Sequence, residues 1–193
     1  MEERNAIRER GRALEEEWAQ QSARNAVAKL RATRLEDEER RRLADATRIS
    51  SPELITRMRA LGFDAESAGL LFLVPLVGMS GADGTVSYAE RVLVKDMARR
   101  GDVQPGSRAW AILDGWLLEP PPRETLDEML ALLRDVLAAM PADQRSEVRS
   151  RLRSALDRVG RVSGGFLGVG ALSRAERRFL TECDFADASG TEA

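Results

Sequence analysis

The residues best suited to chemistry in this chain are carboxylates that stand beside helix starts. In GADGTVSYAERVLV (81–94), Asp83-Gly84 has the form of a turn, and Ser87 and Glu90 open a helix. Aligning Gly84 with the glycine at position 6 of a calcium loop puts Asp83 at position 5, Val86 at the hydrophobic position 8 and Glu90 at the bidentate position 12. Positions 1 and 3 then fall on Met79 and Gly81. That leaves too few oxygens for the about six to eight ligands that calcium takes. The same residues fit a plainer pattern. Ser87-Tyr88-Ala89-Glu90 is a capping box, in which serine and glutamate satisfy each other's backbone N–H groups, and Asp-Gly sits in turns without any ligand.

A second copy follows. GVGALSRAERRFL (168–180) matches ADGTVSYAERVLV (82–94) at Gly, Ser, Ala, Glu and Arg, which makes Glu176 the counterpart of Glu90. Val169 stands where the first copy has Asp83. The pattern fits two related helical halves, and it equally fits two similar capping boxes.

The chain has no histidine, which removes the usual general base, the Ser-His and Cys-His nucleophile systems and most zinc sites. Any metal must sit among oxygens, which restricts the ion to hard divalent cations such as calcium, magnesium or manganese. Cys183 is the only cysteine, so no intramolecular disulfide forms and a cytoplasmic location is the default. The net charge of −2 gives no global attraction to nucleic acid. Arginine supplies all but two of the 30 basic residues, as a coding bias would also produce. The longest apolar run, 68–80, is shorter than the ~20 residues that span a bilayer and contains Pro75. No transmembrane segment is expected, which leaves peripheral membrane association open.

The elements that must position these carboxylates are helical. Residues 1–50 form a charged helical extension without a sustained heptad repeat: Ile7, Leu14 and Trp18 give one short stripe, Val27 and Leu30 another. Glu36, Asp37 and Glu38 precede Arg40, Arg41 and Arg42 by four residues, the favourable order for helical ion pairs on a solvated face. Ser51-Pro52 starts a helix that Gly62 stops. Asp64 caps a helix over 65–80 that is apolar on all sides, kinked at Pro75 and destined for the middle of a bundle. Ser87 to Arg100 points Leu93 and Met97 inward. Trp110, Leu113 and Leu117 line a short helix that stops before Pro120. Leu126, Met129, Leu130, Leu133, Val136, Leu137 and Met140 give the clearest amphipathic stripe, and Val148, Leu152, Ala155, Leu156 and Val159 another. Phe179, Leu180 and Cys183 form the last apolar face, and 185–193 reads as a disordered tail. No segment alternates long enough for a strand. The glycine-rich stretch 163–170 lacks the P-loop and dinucleotide fingerprints and reads as a loop tucking Phe166 and Leu167 against the bundle. Packing accounts for Trp18, Trp110 and Trp116.

The two signatures together resemble the tellurite-resistance TerB-like family of small all-helical bacterial domains, over roughly 65–184. Ala82, Asp83, Gly84, Val86, Ser87 and Glu90 fit the first family signature; Gly170, Leu172, Ser173, Glu176 and Arg177 fit the second. The resemblance implies an all-α, TerB-like bundle of about seven helices over 51–184. It also implies a metal-binding or partner-binding acidic patch at Asp83, Glu90 and Glu176, with Val169 a departure from the full ligand set. The function expected is a non-catalytic stress-response interaction module with a protein partner. The alternatives are a structural adaptor or homodimer working through the N-terminal helix, and a carboxylate- and metal-dependent hydrolase.

Overall fold

The computed structural model describes residues 2–163 and 174–182, with residues 2–17, 19, 163, 180 and 182 described by backbone alone. The described residues fold into helices α1 (Glu2–Thr47), α2 (Pro52–Ala60), α3 (Val74–Ser80), α4 (Tyr88–Arg100), α5 (Arg108–Leu118), α6 (Arg123–Ala139), α7 (Ala142–Ser163) and α8 (Arg174–Glu182), with a 3-10 helix at Ala68–Leu73 and no strand. The protein is all-α, as its periodicity predicts. Two compact units are present, Met1–Arg41 and Arg42–Ala193.

In the first unit, every described side chain from Trp18 to Arg41 is exposed except the half-buried Ser22. The second unit opens with the last turn of α1, where Leu43 is fully buried. Its helix starts follow the capping chemistry of the sequence. Ser51 Oγ accepts from the Leu54 N–H, with Pro52 at the first position of α2, and Ser107 Oγ accepts from the Trp110 N–H at 3.1 Å. Removing such a cap costs about 1 kcal/mol.

The segment expected as one kinked helix over 65–80 is instead a turn, the 3-10 helix and α3. Proline has no N–H to bond back to a preceding turn, so a new α-helix begins with Pro75 in its first turn, where the missing N–H is harmless and Val74 before it keeps the α conformation. The expectation of a central position holds, because every residue of α3 is buried. α3 packs against α4, α6, α7 and α8, and the 3-10 helix against α4, α5 and α6. Gly78 permits the closest approach. A Cβ there would overlap the ring of Phe179 and reach 3.0 Å from Leu126 Cδ2, so α8 is seated against a side-chain-free patch of α3. Phe179 is 2% exposed, with the Arg123 guanidinium over its ring.

The inward face of α4 differs from expectation. Glu90, Val94 and Ala98 are buried, and Leu93 and Met97 flank them half-buried. On α6 the stripe is as predicted, with Leu132 added, while Met140 is half-buried beyond the helix end. Trp116 meets Phe63 edge-on at 6.3 Å between centroids, and Lys95 and Arg99 lie over Trp110. Trp18 departs from the packing reading: it is 74% exposed. Among the described residues no helix is long and apolar enough to cross a membrane.

Asp64 holds the entry to the central segment. Its Oδ1 accepts from the N–H groups of Glu66 and Ser67 and from the Ser67 hydroxyl, and its Oδ2 pairs with Arg108 at 2.6 Å. Burial pushes this carboxyl up, but the Ser67 and Glu66 bonds and the Arg108 charge outweigh it and hold the carboxyl below its usual value. A carboxyl with a lowered pKa in the folded state stabilises the fold above its unfolded value of about 3.9, and that stabilisation disappears as pH falls through the folded value. Asp64→Asn keeps a capping oxygen but loses the charge. Denaturant unfolding should therefore show wild type more stable than Asp64→Asn at neutral pH, with the gap closing at acid pH. A gap that is unchanged down to acid pH contradicts the assignment.

Candidate functional site

The first signature forms a short link between α3 and α4. Met79 and Ser80 are the last residues of α3 and are buried, so no 12-residue calcium loop can begin at Met79. The Gly84 N–H bonds to the Gly81 carbonyl at 3.0 Å, and Asp83 Oδ1 accepts from the Thr85 N–H at 3.1 Å, an Asx turn. Gly84 has φ +95°, a conformation glycine adopts without strain. A Cβ on Gly81 would lie 2.9 Å from Pro120 Cγ, so the turn sits against the proline loop after α5.

At the start of α4 both halves of the capping box are made. Ser87 Oγ accepts from the Glu90 N–H at 3.3 Å, and Glu90 Oε2 accepts from the Ser87 N–H at 2.7 Å. Of the two readings of this segment, the geometry is that of the cap. Glu90 is also 4% exposed, an unusual burial for a carboxylate and one that is tolerated when hydrogen bonds replace water.

Glu176 lies in the first described turn of α8 and is likewise 4% exposed. In the residues that can be compared, the two signatures share a buried glutamate on a helix that packs against α3. Gly170, Leu172 and Ser173 of the second signature, Val169, the glycine-rich stretch after Ser163, Cys183 and the tail 185–193 lie outside the described residues. Asp83, in contrast, is exposed. Among the described residues no three His, Cys, Asp or Glu side chains are placed to hold one metal ion together, and Asp83, Glu90 and Glu176 form no such group.

Two surfaces stand out beyond these carboxylates. On α1, Trp18, Val27, Leu30 and Leu35 are exposed by 74, 46, 62 and 61%. On the second unit, a groove of about 620 Å³ lies between the 3-10 helix, α3, the end of α4 and α7. It has Arg100, Arg151 and Arg158 in its lining. The sequence reading missed this groove. Its arginines come from two separate helices and are indistinguishable in sequence from the many that are merely solvated.

The fold and these surfaces define an all-α helical bundle with a charged helical arm. Neither the protein-family models, nor the curated proteins, nor the solved structures contain a match to the chain.

If Glu90 serves as a cap, Glu90→Gln should be nearly as stable as wild type, since glutamine completes the same box, whereas Glu90→Ala should lose about 1 kcal/mol. Thermal unfolding with manganese and with chelator separates the roles. An equal loss in Gln and Ala variants that appears only with metal would make Glu90 a ligand instead.

Proposed function

We propose that the protein is a non-catalytic interaction module whose docking element is α1 and whose partner is a second copy of the same helix. The observation that carries this reading is that Trp18 and Leu35 stand uncovered on a helix whose described side chains up to Arg41 are exposed except the half-buried Ser22.

A seven-residue seam can be traced through this arm. Leu14, Gln21, Ala28 and Leu35 take one seam position, and Trp18, Asn25 and Ala32 the other, while Val27 and Leu30 lie outside the seam. Its polar members bond to each other, the Gln21 side-chain amide donating to Asn25 Oδ1 at 3.2 Å. Polar seam residues weaken a coiled coil but fix its register. In a parallel pair, Arg10 of one copy would face Glu15 of the other, and Arg31 would face Glu36, against one repulsive Arg24 and Lys29 encounter. A pair of arms tethers two copies of the 42–193 unit, which is an adaptor's task.

The TerB-like signatures support a stress-response setting, and the single cysteine suits a reducing, cytoplasmic compartment. No catalytic step is assigned: the chain has no histidine, and the buried Glu90 is engaged as a cap.

Sedimentation equilibrium of the full chain at micromolar concentration should give a dimer. Trp18→Asp combined with Leu35→Asp should give a monomer with an unchanged unfolding transition for the 42–193 unit. A monomeric wild type, or a dimer indifferent to both substitutions, contradicts this reading.

A further inference from the structure

The groove of about 620 Å³ falls within the range of about 300–1,000 Å³ typical of small-molecule sites. Leu73, Leu76 and Leu152 are the buried apolar residues of its lining, and Phe72, Met97 and Val148 are half-buried there. These residues come from helices, so their backbone N–H and C=O groups are largely used within the helices. An extended peptide laid in this groove would find few partners for its own backbone. The occupant that suits it is a chain without polar groups along its length.

The charged lining adds an end preference. Arg100, Arg151 and Arg158 belong to the lining, and among the described residues no carboxylate does. Arg100 pairs with Asp96 and Arg151 with Glu147, each one helical turn away and on largely exposed side chains. Such pairs are weak and exchange readily for a better anion. Arg158 is exposed and has no ion pair among the described residues. Gly69 and Gly101 contribute no side chains to the lining, and nothing lies within 4 Å of where a Gly69 Cβ would stand.

We propose that this groove is a binding site for a single-chain acyl anion, its hydrocarbon tail against Leu73, Leu76 and Leu152 and its carboxylate held by Arg100, Arg151 and Arg158. The site is independent of α1 and of the pairing proposed above.

Titration calorimetry of the full chain tests it, with dodecanoate below its micelle-forming concentration and decanoate, dodecyltrimethylammonium and vesicles of anionic phospholipid as comparisons. Dodecanoate should bind with one site per chain, roughly tenfold more tightly than decanoate because two further methylenes leave water. The cationic amphiphile should not bind. Ala155→Phe should fill the groove and abolish binding, with thermal unfolding showing whether that variant folds. Arg100→Ser with Arg158→Ser, both at exposed positions, should weaken binding by about tenfold without altering the unfolding transition. Equal binding of the cationic amphiphile, indifference to the arginine substitutions, or binding to vesicles without binding to free dodecanoate would each overturn the proposal.

Discussion

The second unit is organised by a segment that has no face to offer water. From Ala68 to Ser80 nearly all residues are apolar, and all of α3 is buried. An amphipathic helix can rest on one neighbour; a helix apolar all round has to be enclosed. α4, α6, α7 and α8 meet α3, and α4, α5 and α6 meet the 3-10 helix before it. Each of these surrounding helices needs only one apolar stripe. Leu126, Met129, Leu130, Leu133 and Leu137 provide it on α6, and Leu152, Leu156 and Val159 on α7. The enclosure also requires close approach, which Gly78 allows by leaving room for Phe179.

The features of functional interest are consequences of how that enclosure is closed. α4 and α8 both abut α3, and each carries a buried glutamate, Glu90 and Glu176. At α4 the carboxylate satisfies the Ser87 N–H, so a group that suggests metal chemistry in sequence serves to start a helix. Where α7 and the end of α4 meet the 3-10 helix and α3, the enclosure leaves the arginine-lined groove. α1, by contrast, carries Trp18, Leu30 and Leu35 with their surfaces in water.

Much of the helical plan was legible because its signals are local. Ser51-Pro52, Ser87 to Glu90 and the stripe of α6 each contain their own start or period, and the structure follows them. The central segment was legible as buried but not as broken, since apolar residues on every side erase the periodicity that would separate a 3-10 from an α-helix. α4 offered Val92, Leu93, Val94 and Met97 on adjoining faces, and which of them points inward was decided by neighbours distant in sequence. Val94 and Ala98 won, sharing a face with the capping Glu90. In α1 the seam through Gln21, Asn25, Ala28 and Ala32 carries little hydrophobicity, so no heptad stood out. Of the candidate site, the helix-opening role of Glu90 could be read locally. That Asp83, Glu90 and Glu176 would not gather around one ion depends on three-dimensional placement, which spacing cannot supply.

Native-state hydrogen exchange tests the central role of α3 most directly. If the surrounding helices depend on it, the amides of Gly78, Met79 and Ser80 can open only when the whole unit unfolds. Their exchange should then report the same free energy as denaturant unfolding, at least as high as that of Leu133 in α6. Exchange of those three amides through a local opening, at a free energy well below that of Leu133, would contradict the account.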